Sequence, residues 1–174
     1  YSAKPNNGHI AAAQMEERGI IKAVVTQNID GLHQKSGSKE VIELHGSIHT
    51  ATCSHCHQSI KANEYLPKFI ETGQIPKCSI CKGIIKPGIT LFEELLPMKA
   101  WQDADRLSQE CDLMIIAGSS LEVIPASSIP QQSIRQGAKI IIINYSPTFL
   151  DQDATCLFHE GIEVILPRLN RMLL

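Results

Sequence analysis

Short, largely apolar runs that are rich in β-branched residues recur along this chain. Runs of this kind are typical of strands that are buried on both faces of a sheet. They lie at 20–25, 41–44, 112–117, 139–143 and, most briefly, 156–158. Because helical patterns separate several of these runs, we expect them to form a mostly parallel sheet.

Apolar residues at helical spacing fill much of the chain between these runs. The first helix is predicted from Asn6 to about Arg18, because Pro5 suits a helix start and Gly19 suits a helix stop. Pro167 is compatible with the last helix only near its first turn or at a kink. Further helices are predicted over 98–110, from 126 to 136 and from 161 onward. This order of elements predicts an α/β fold.

Two Cys-x-x-Cys pairs interrupt this order. Two intervening residues let both thiolates of a pair reach one tetrahedral ion, and four thiolates leave no open coordination position. The pairs therefore predict one structural zinc ion, with His55 and His57 as less favoured ligands. Cys111 and Cys156 are expected to be buried and uninvolved. The predicted ligands are Cys53, Cys56, Cys78 and Cys81.

The zinc site is expected to form a small zinc-ribbon module over residues 49–90. Apolar residues between the two pairs have the spacing of a short amphipathic helix that would cover the metal. These residues are Tyr65, Leu66, Phe69 and Ile70. The module would be inserted into a Rossmann-like domain made of residues 1–48 and 91–174.

Composition and charge exclude several classes of protein. Hydrophobic residues make up 43% of the 174 residues and charged residues 20%, which is ordinary for a globular domain. A net charge of −2 gives no sign of a nucleic-acid or membrane surface. We find no signal peptide and no apolar run long enough to cross a bilayer. Paired metal-binding cysteines suit a reducing compartment, so we expect a cytoplasmic protein.

Polar side chains follow two of the predicted strands. Ligands bind outside the carboxyl ends of strands in open α/β sheets, so these side chains are candidates for one crevice. A plain turn would also explain the Asn-Ile-Asp-Gly cluster, and a lone histidine is usually a structural residue. The residues after the first run are Gln27, Asn28, Ile29 and Asp30, and His45 follows the second run.

Three later segments are further candidates for a binding site. The first is an extended run between prolines, which a simple connector would also explain. The second and third follow buried strands, and the second offers amides and hydroxyls to a phosphate or ribose, although small residues are common in such turns. The segments are Thr90-Leu91-Phe92, Gly118-Ser119-Ser120 and Asn144-Tyr145-Ser146.

Together these motifs resemble those of the sirtuins, the NAD-dependent protein-lysine deacylases. The similar stretches are TQNIDGLH at 26–33, ELHG at 43–46, GSSLEVIP at 118–125 and the two cysteine pairs. The resemblance covers nearly the whole chain and implies a Rossmann-like sheet with an inserted zinc module. Sirtuins also carry a glycine-rich phosphate loop before a stretch like residues 3–9. This sequence lacks such a loop, so we interpret it as truncated at its amino terminus, without the family's first strand.

The resemblance implies a role for each candidate residue. The intact family enzyme transfers the acyl group of acyl-lysine to the ADP-ribose of NAD and releases nicotinamide. His45 corresponds to the general base on a ribose hydroxyl, a role that suits imidazole because it titrates near neutral pH. Gln27 and Asn28 would lie by the nicotinamide ribose, and Asp30 would hold the carboxamide. The other implied NAD contacts are Ile29, Gly118, Ser119, Ser120, Asn144, Tyr145, Ser146 and Ile162.

The resemblance also assigns a substrate segment. In sirtuins the stretch that corresponds to Thr90, Leu91 and Phe92 pairs with the acyl-lysine peptide and lines the acyl tunnel. This chain departs from the family at Glu93, where sirtuins usually have glycine. Because glycine is common where another backbone approaches closely, Glu93 bears on acyl preference or peptide binding.

Two other functions remain open at this point. A non-catalytic zinc-ribbon binding or regulatory fragment would explain the missing phosphate loop, and mono-ADP-ribosylation shares the first chemical step with deacylation. Four sirtuin-like motifs outside the ribbon favour the deacylase. We expect a monomer that uses NAD and zinc and binds an acyl-lysine protein or peptide, without nucleic-acid or membrane partners. We also expect little deacylase activity from these 174 residues alone.

Overall fold

The computed structural model describes residues 3–173. The helices are α1 (Asn7–Glu17), α2 (Leu32–Ser36), α3 (Leu66–Thr72), α4 (Met98–Glu110), α5 (Ser128–Arg135) and α6 (Ile162–Met172). The strands are β1 (Val24–Thr26), β2 (Val41–Glu43), β3 (Gly46–Cys53), β4 (Ser59–Lys61), β5 (Ile85–Ile89), β6 (Leu113–Ala117), β7 (Lys139–Ile143) and β8 (Cys156–Phe158). Within this described part of the chain, no helix is long and apolar enough to span a membrane.

The described chain divides into two compact units. The first contains residues 26–31 and 43–97, and the second contains residues 3–25, 32–42 and 98–173. The division predicted from the sequence, with a module at 49–90, stays a prediction.

The first unit is built on an antiparallel sheet of three strands in the order β4-β3-β5. Its core lies against the cysteine pairs, because buried Ala51 and Ile85 pack with the thiols of Cys53 and Cys78. The predicted helix between the pairs is confirmed as α3. However, Phe69 and Ile70 are exposed, so it is mainly the preceding Tyr65 that packs against this core.

The second unit is built on a parallel sheet in the order β6-β7-β8, which confirms the predicted α/β fold with parallel strands. The central strand β7 is almost wholly apolar and buries Ile140, Ile142 and Ile143. Leu121 and Leu150 complete this core. A strand with apolar side chains on both faces needs cover on both sides, as the unbroken run predicted.

Helices α1 and α6 form the other core of the second unit. Small residues on α1 let α6 approach closely, and the contact buries Ala11, Ala12, Met15 and Leu166. Asn6 caps α1, since its side chain accepts a hydrogen bond of 3.1 Å from the amide of His9. The predicted extent of this helix is therefore confirmed to within a residue at each end.

The predicted first strand, 20–25, is wrong in its first half. Helix α1 ends in a turn at Gly19, whose φ is 73°, and the amides of Ile20 and Ile21 donate to the Met15 carbonyl. These bonds keep both isoleucines in the helix-terminating turn, so β1 begins only at Val24 and pairs with β2.

Candidate functional site

Hydrogen bonds on both sides hold His45 in the first unit. Its Nδ1 lies 3.0 Å from the carbonyl oxygen of Gln27, and its own carbonyl accepts a bond of 2.8 Å from the amide of Thr90. A carbonyl oxygen can only accept, so Nδ1 carries the proton in this contact. Nε2 is then the unprotonated nitrogen of the neutral ring, available to take a proton from a ligand.

The loop after β1 is attached to the strand that follows His45. The amide of Ile48 donates to the Ile29 carbonyl at 3.0 Å, and Nε2 of His49 lies 3.3 Å from the Asp30 carbonyl. The Asn28 amide is bonded to the Thr26 hydroxyl at 3.0 Å. The structure therefore brings the predicted segment from Gln27 to Asp30 together with His45, and main-chain bonds fix the position of both.

Two glycines permit the close contact between β3 and β5 beside His45. Gly46 has a φ of 73°, and a Cβ built on it would collide with the Gly88 carbonyl oxygen. A Cβ on Gly88 would in turn overlap the side chain of Thr50. Without both glycines the strands would separate, and Thr90 would lose its bond to His45.

The predicted substrate segment continues from Thr90 as an exposed loop. Phe92 is 99% exposed and Leu91 is also exposed, whereas Thr90 is half-buried. Glu94 forms an ion pair with Lys86 and accepts a hydrogen bond of 3.1 Å from the Leu91 amide. The ion pair, followed by that amide bond, lowers the pKa of Glu94. These bonds fold the loop back onto β5.

The four paired cysteines come together in the first unit, as predicted. All four sulfur atoms lie within 4.8 Å of one another, with 3.4 Å between Cys53 and Cys81 and 3.7 Å between Cys56 and Cys78. A tetrahedral ion with bonds of ~2.3 Å to sulfur requires separations of about 3.8 Å. The thiols therefore fit a zinc ion that they surround on all sides, which leaves it a structural role.

The two cysteine pairs have the same backbone geometry. The amides of His57 and Lys82 donate to the carbonyls of Cys53 and Cys78 at 3.0 and 3.1 Å. Both of these residues have positive φ, 56° and 62°. Such angles are unfavourable for side chains of this type, so the turns are held by the fold around the cysteines.

Backbone amides favour the thiolate form at two of the four sulfurs. The amide of Cys56 lowers the pKa of Cys53 to about 6, and the amide of Cys81 lowers the pKa of Cys78. At Cys56 the amide of Gln58 acts in the same direction, but the hydrogen bond with the Cys81 thiol, desolvation and the bonds with the other two thiols together raise its pKa to about 12. Thiolates are the form that binds zinc, so the cluster is prepared for a cation.

The other two cysteines lie outside this cluster, but the prediction that both are buried is wrong. Cys156 is exposed and Cys111 is half-buried. Cys156 lies on β8, which is an edge strand of its sheet, so its side chain reaches the surface. The thiol of Cys111 lies 3.5 Å from the Ser133 hydroxyl. The short apolar run at 156–158 did not indicate an edge position.

In the second unit, the other predicted segments lie at the carboxyl ends of the parallel strands. The amide of Gly118 donates to the Ile143 carbonyl at 3.0 Å, directly after β6. Ser119 accepts a bond of 3.2 Å from the amide of Leu121. Leu121 is buried yet has a φ of 60°, a strained conformation for leucine. Strain of this kind is concentrated at functional sites.

The turn after β7 contacts the start of α6. The Asn144 side chain donates to the Ser146 carbonyl at 2.8 Å, and the Tyr145 hydroxyl lies 3.4 Å from the carboxylate of Glu163. That carboxylate is the main reason why the pKa of Tyr145 is raised. A Cβ on Gly161 would collide with the Glu163 carboxylate and lie 2.6 Å from the Tyr145 hydroxyl, so the glycine leaves space for the contact between these two groups. Ile162, the next residue, is half-buried.

Comparison with known proteins adds independent support. Residues 1–125 match a family model described as the Sir2 family. The chain is 43% identical over 160 residues to an NAD-dependent protein deacetylase of Thermotoga maritima, covering 92% of this chain and 65% of that protein. It is 42% identical over 171 residues to NAD-dependent protein deacetylase 1 of Geobacillus kaustophilus, covering 98% and 68%. The chain thus spans about two thirds of the length of these relatives.

Solved structures give the same result for the fold. A structure of Sir2 bound to an acetylated peptide matches with a TM-score of 0.92 and 39% identity, over 98% of this chain and 71% of that one. A complex of Sir2 with a p53 peptide and NAD+ matches with a TM-score of 0.91 and 40% identity, over 98% and 70%.

Proposed function

The chain belongs to the Sir2 family, and from that premise we propose that it is part of an NAD-dependent protein-lysine deacylase. In the proposed reaction the acyl group of an acyl-lysine passes to ADP-ribose, and nicotinamide is released. Two relatives are described as NAD-dependent protein deacetylases, and solved Sir2 complexes hold an acetylated peptide or a peptide with NAD+. These similarities support the substrate class.

The observation that carries the proposal is the bonding of His45. Its Nδ1–H donates to Gln27 and its backbone carbonyl accepts from Thr90, so His45 is bonded both to the loop proposed for NAD and to the segment proposed for the substrate. His45 takes the proton of a ribose hydroxyl on Nε2. Gln27 and Asn28 contact the nicotinamide ribose, and Asp30 binds the carboxamide.

The remaining residues of the first unit bind the other substrate and the metal. Thr90, Leu91 and Phe92 contact the acyl-lysine peptide. The four clustered thiols hold zinc, which keeps this unit folded and takes no part in the chemistry. Ile29 contacts NAD next to Asp30.

In the second unit, NAD is bound by turns at the carboxyl ends of the parallel strands. This is where ligands bind in open α/β sheets. The proposed contacts are Gly118, Ser119, Ser120, Asn144, Tyr145, Ser146 and Ile162. We also propose that the protein is cytoplasmic, because paired metal-binding cysteines suit a reducing compartment, and that it acts as a monomer.

The test is an analysis of reaction products. The 174-residue chain, and a chimaera that adds the third of the Thermotoga maritima relative that the alignment leaves uncovered, are incubated with NAD and an acetyl-lysine peptide. We expect the chimaera to release nicotinamide and free-lysine peptide in equal amounts. Nicotinamide release with ADP-ribose attached to protein would instead indicate an ADP-ribosyltransferase. No NAD-dependent reaction in either protein would refute the proposal.

A further inference from the structure

Two neighbouring glutamates of the substrate segment differ in their surroundings. Glu94 is bonded to Lys86 and to the Leu91 amide, so its charge is already compensated. Glu93 is exposed, and within residues 3–173 its carboxylate has neither an ion-pair partner nor a hydrogen bond. One negative charge in this loop is therefore available to a ligand.

The backbone at Glu93 is unfavourable for glutamate. Its φ is 70°, in the left-handed region that glycine adopts freely and that other residues adopt at a cost. A glycine would relieve this cost without losing any hydrogen bond or ion pair of the side chain with the described protein. Folding alone therefore gives no reason for a glutamate here, and an interaction with a ligand would give one.

Apolar side chains stand exposed on both sides of this charge. Phe92 is 99% exposed and Leu95 is 95% exposed, which is unusual for side chains of this size. The adjoining strand β5 is an edge strand, since β3 is the one strand beside it in the described chain, although its first residue, Ile85, also donates its amide to the Pro76 carbonyl at 3.0 Å. An extended peptide can pair with such an edge and place side chains on the neighbouring loop.

We propose that Glu93 is a specificity residue, which selects acyl-lysine peptides that carry a further lysine or arginine near the acylated lysine. The inference rests on the proposed function, since it requires the segment from Thr90 to bind the peptide. The cation of the peptide pairs with Glu93, while its apolar side chains cover Phe92 and Leu95. Exposed pairs of this kind change affinity by about 1.5- to 5-fold, and salt weakens them.

The test measures binding of acetyl-lysine peptides by fluorescence anisotropy. One peptide has neutral flanks, and the others each carry one arginine at a position within four residues of the acetyl-lysine. We expect at least one arginine peptide to bind the protein about 1.5- to 5-fold more tightly than the neutral peptide, and the gain to shrink in high salt. Glu93→Gln should abolish this gain. Glu71→Gln removes an exposed charge from α3 in the same unit and should preserve it.

The outcomes separate this inference from the proposed function. If the neutral peptide binds but no arginine peptide gains affinity, the role of Glu93 is refuted while peptide binding stands. A gain that persists in Glu93→Gln, or that disappears equally in Glu71→Gln, would also refute it. The inference assumes that the protein binds acetyl-lysine peptides. If none of the peptides binds, the assignment of the substrate segment itself is overturned.

Discussion

Replacing Gly46 with alanine tests the contact that joins His45 to the substrate segment. Gly46 has a φ of 73°, which costs about 1–2 kcal/mol for a residue with a Cβ. The new methyl group would also collide with the Gly88 carbonyl oxygen and lie 3.3 Å from Cα of Ile89. These are backbone atoms of β5, so they cannot rotate away, and overpacking of this kind costs about 1–3 kcal/mol. We therefore expect a total loss of about 2–5 kcal/mol.

Gly73 provides a matched control in the same unit. Its φ is 67°, but apart from its chain neighbours no heavy atom of the described residues lies within 4 Å of a Cβ built on it. Gly73→Ala should therefore show the backbone cost alone, about 1–2 kcal/mol. The difference between the two variants isolates the collision.

Urea denaturation of the zinc-loaded protein, followed by circular dichroism, measures both losses. The single tryptophan is not a suitable probe, because Trp101 lies on α4 in the other unit. Exchange of the Thr90 amide proton adds a local reading, since that amide donates to His45. If both variants lose the same free energy and Thr90 stays protected, the close approach of β3 and β5 is refuted.

Three further predictions concern the metal, the hydrogen bonds of the half-buried Glu16 carboxylate, and pH. Elemental analysis should find one zinc ion per chain; Cys78→Ser should lose it and melt at lower temperature, whereas the exposed Cys156→Ser should keep it. Glu16 accepts hydrogen bonds from the amides of Lys39 and Glu40, so Glu16→Gln should lower the free energy of unfolding by about 1–3 kcal/mol in urea denaturation. Glu17→Gln is the control, and a loss for Glu16→Gln that is smaller than the loss for Glu17→Gln would contradict this prediction. Because Lys86 lowers the pKa of Glu94, the bond to the Leu91 amide should be complete above the ordinary glutamate pKa and lost as pH falls through the lowered value. The exchange rate of that amide, divided by the rate of an unstructured peptide at the same pH, should rise there, and protection that does not change with acid would refute the pairing.

Some features were predictable because a local pattern decides them. Four consecutive isoleucines in β7 favour a strand covered on both faces, as in a parallel sheet, and three of the four are buried. The cluster of four cysteines was predictable because the Cys-x-x-Cys spacing lets both thiolates of a pair bind one tetrahedral ion. Helix α1 lies between its start and stop signals, Pro5 and Gly19, which the sequence shows directly.

Other features depend on contacts that no local pattern reveals. The sequence did not indicate the antiparallel strands β3 and β4, because their polar residues give weak alternation. Left-handed backbone at His57, Lys82, Glu93 and Leu121 contradicts the preference of each residue type, so tertiary structure must impose it. The bond between His45 and Thr90 joins residues far apart in the chain and depends on a pair of glycines meeting across two strands.

The rate of deacetylation by a His45 variant tests most directly whether His45 is the general base. His45→Asn and the control His57→Asn are compared in the chimaera, with NAD and an acetyl-lysine peptide, by the rate of deacetylation. Asparagine tolerates the left-handed backbone of His57, so the control should fold and keep its rate. We expect His45→Asn to slow the reaction by ~10²–10⁴-fold, the contribution of a positioned general base. A variant that deacetylates as fast as the control would contradict the assignment of His45 as the base.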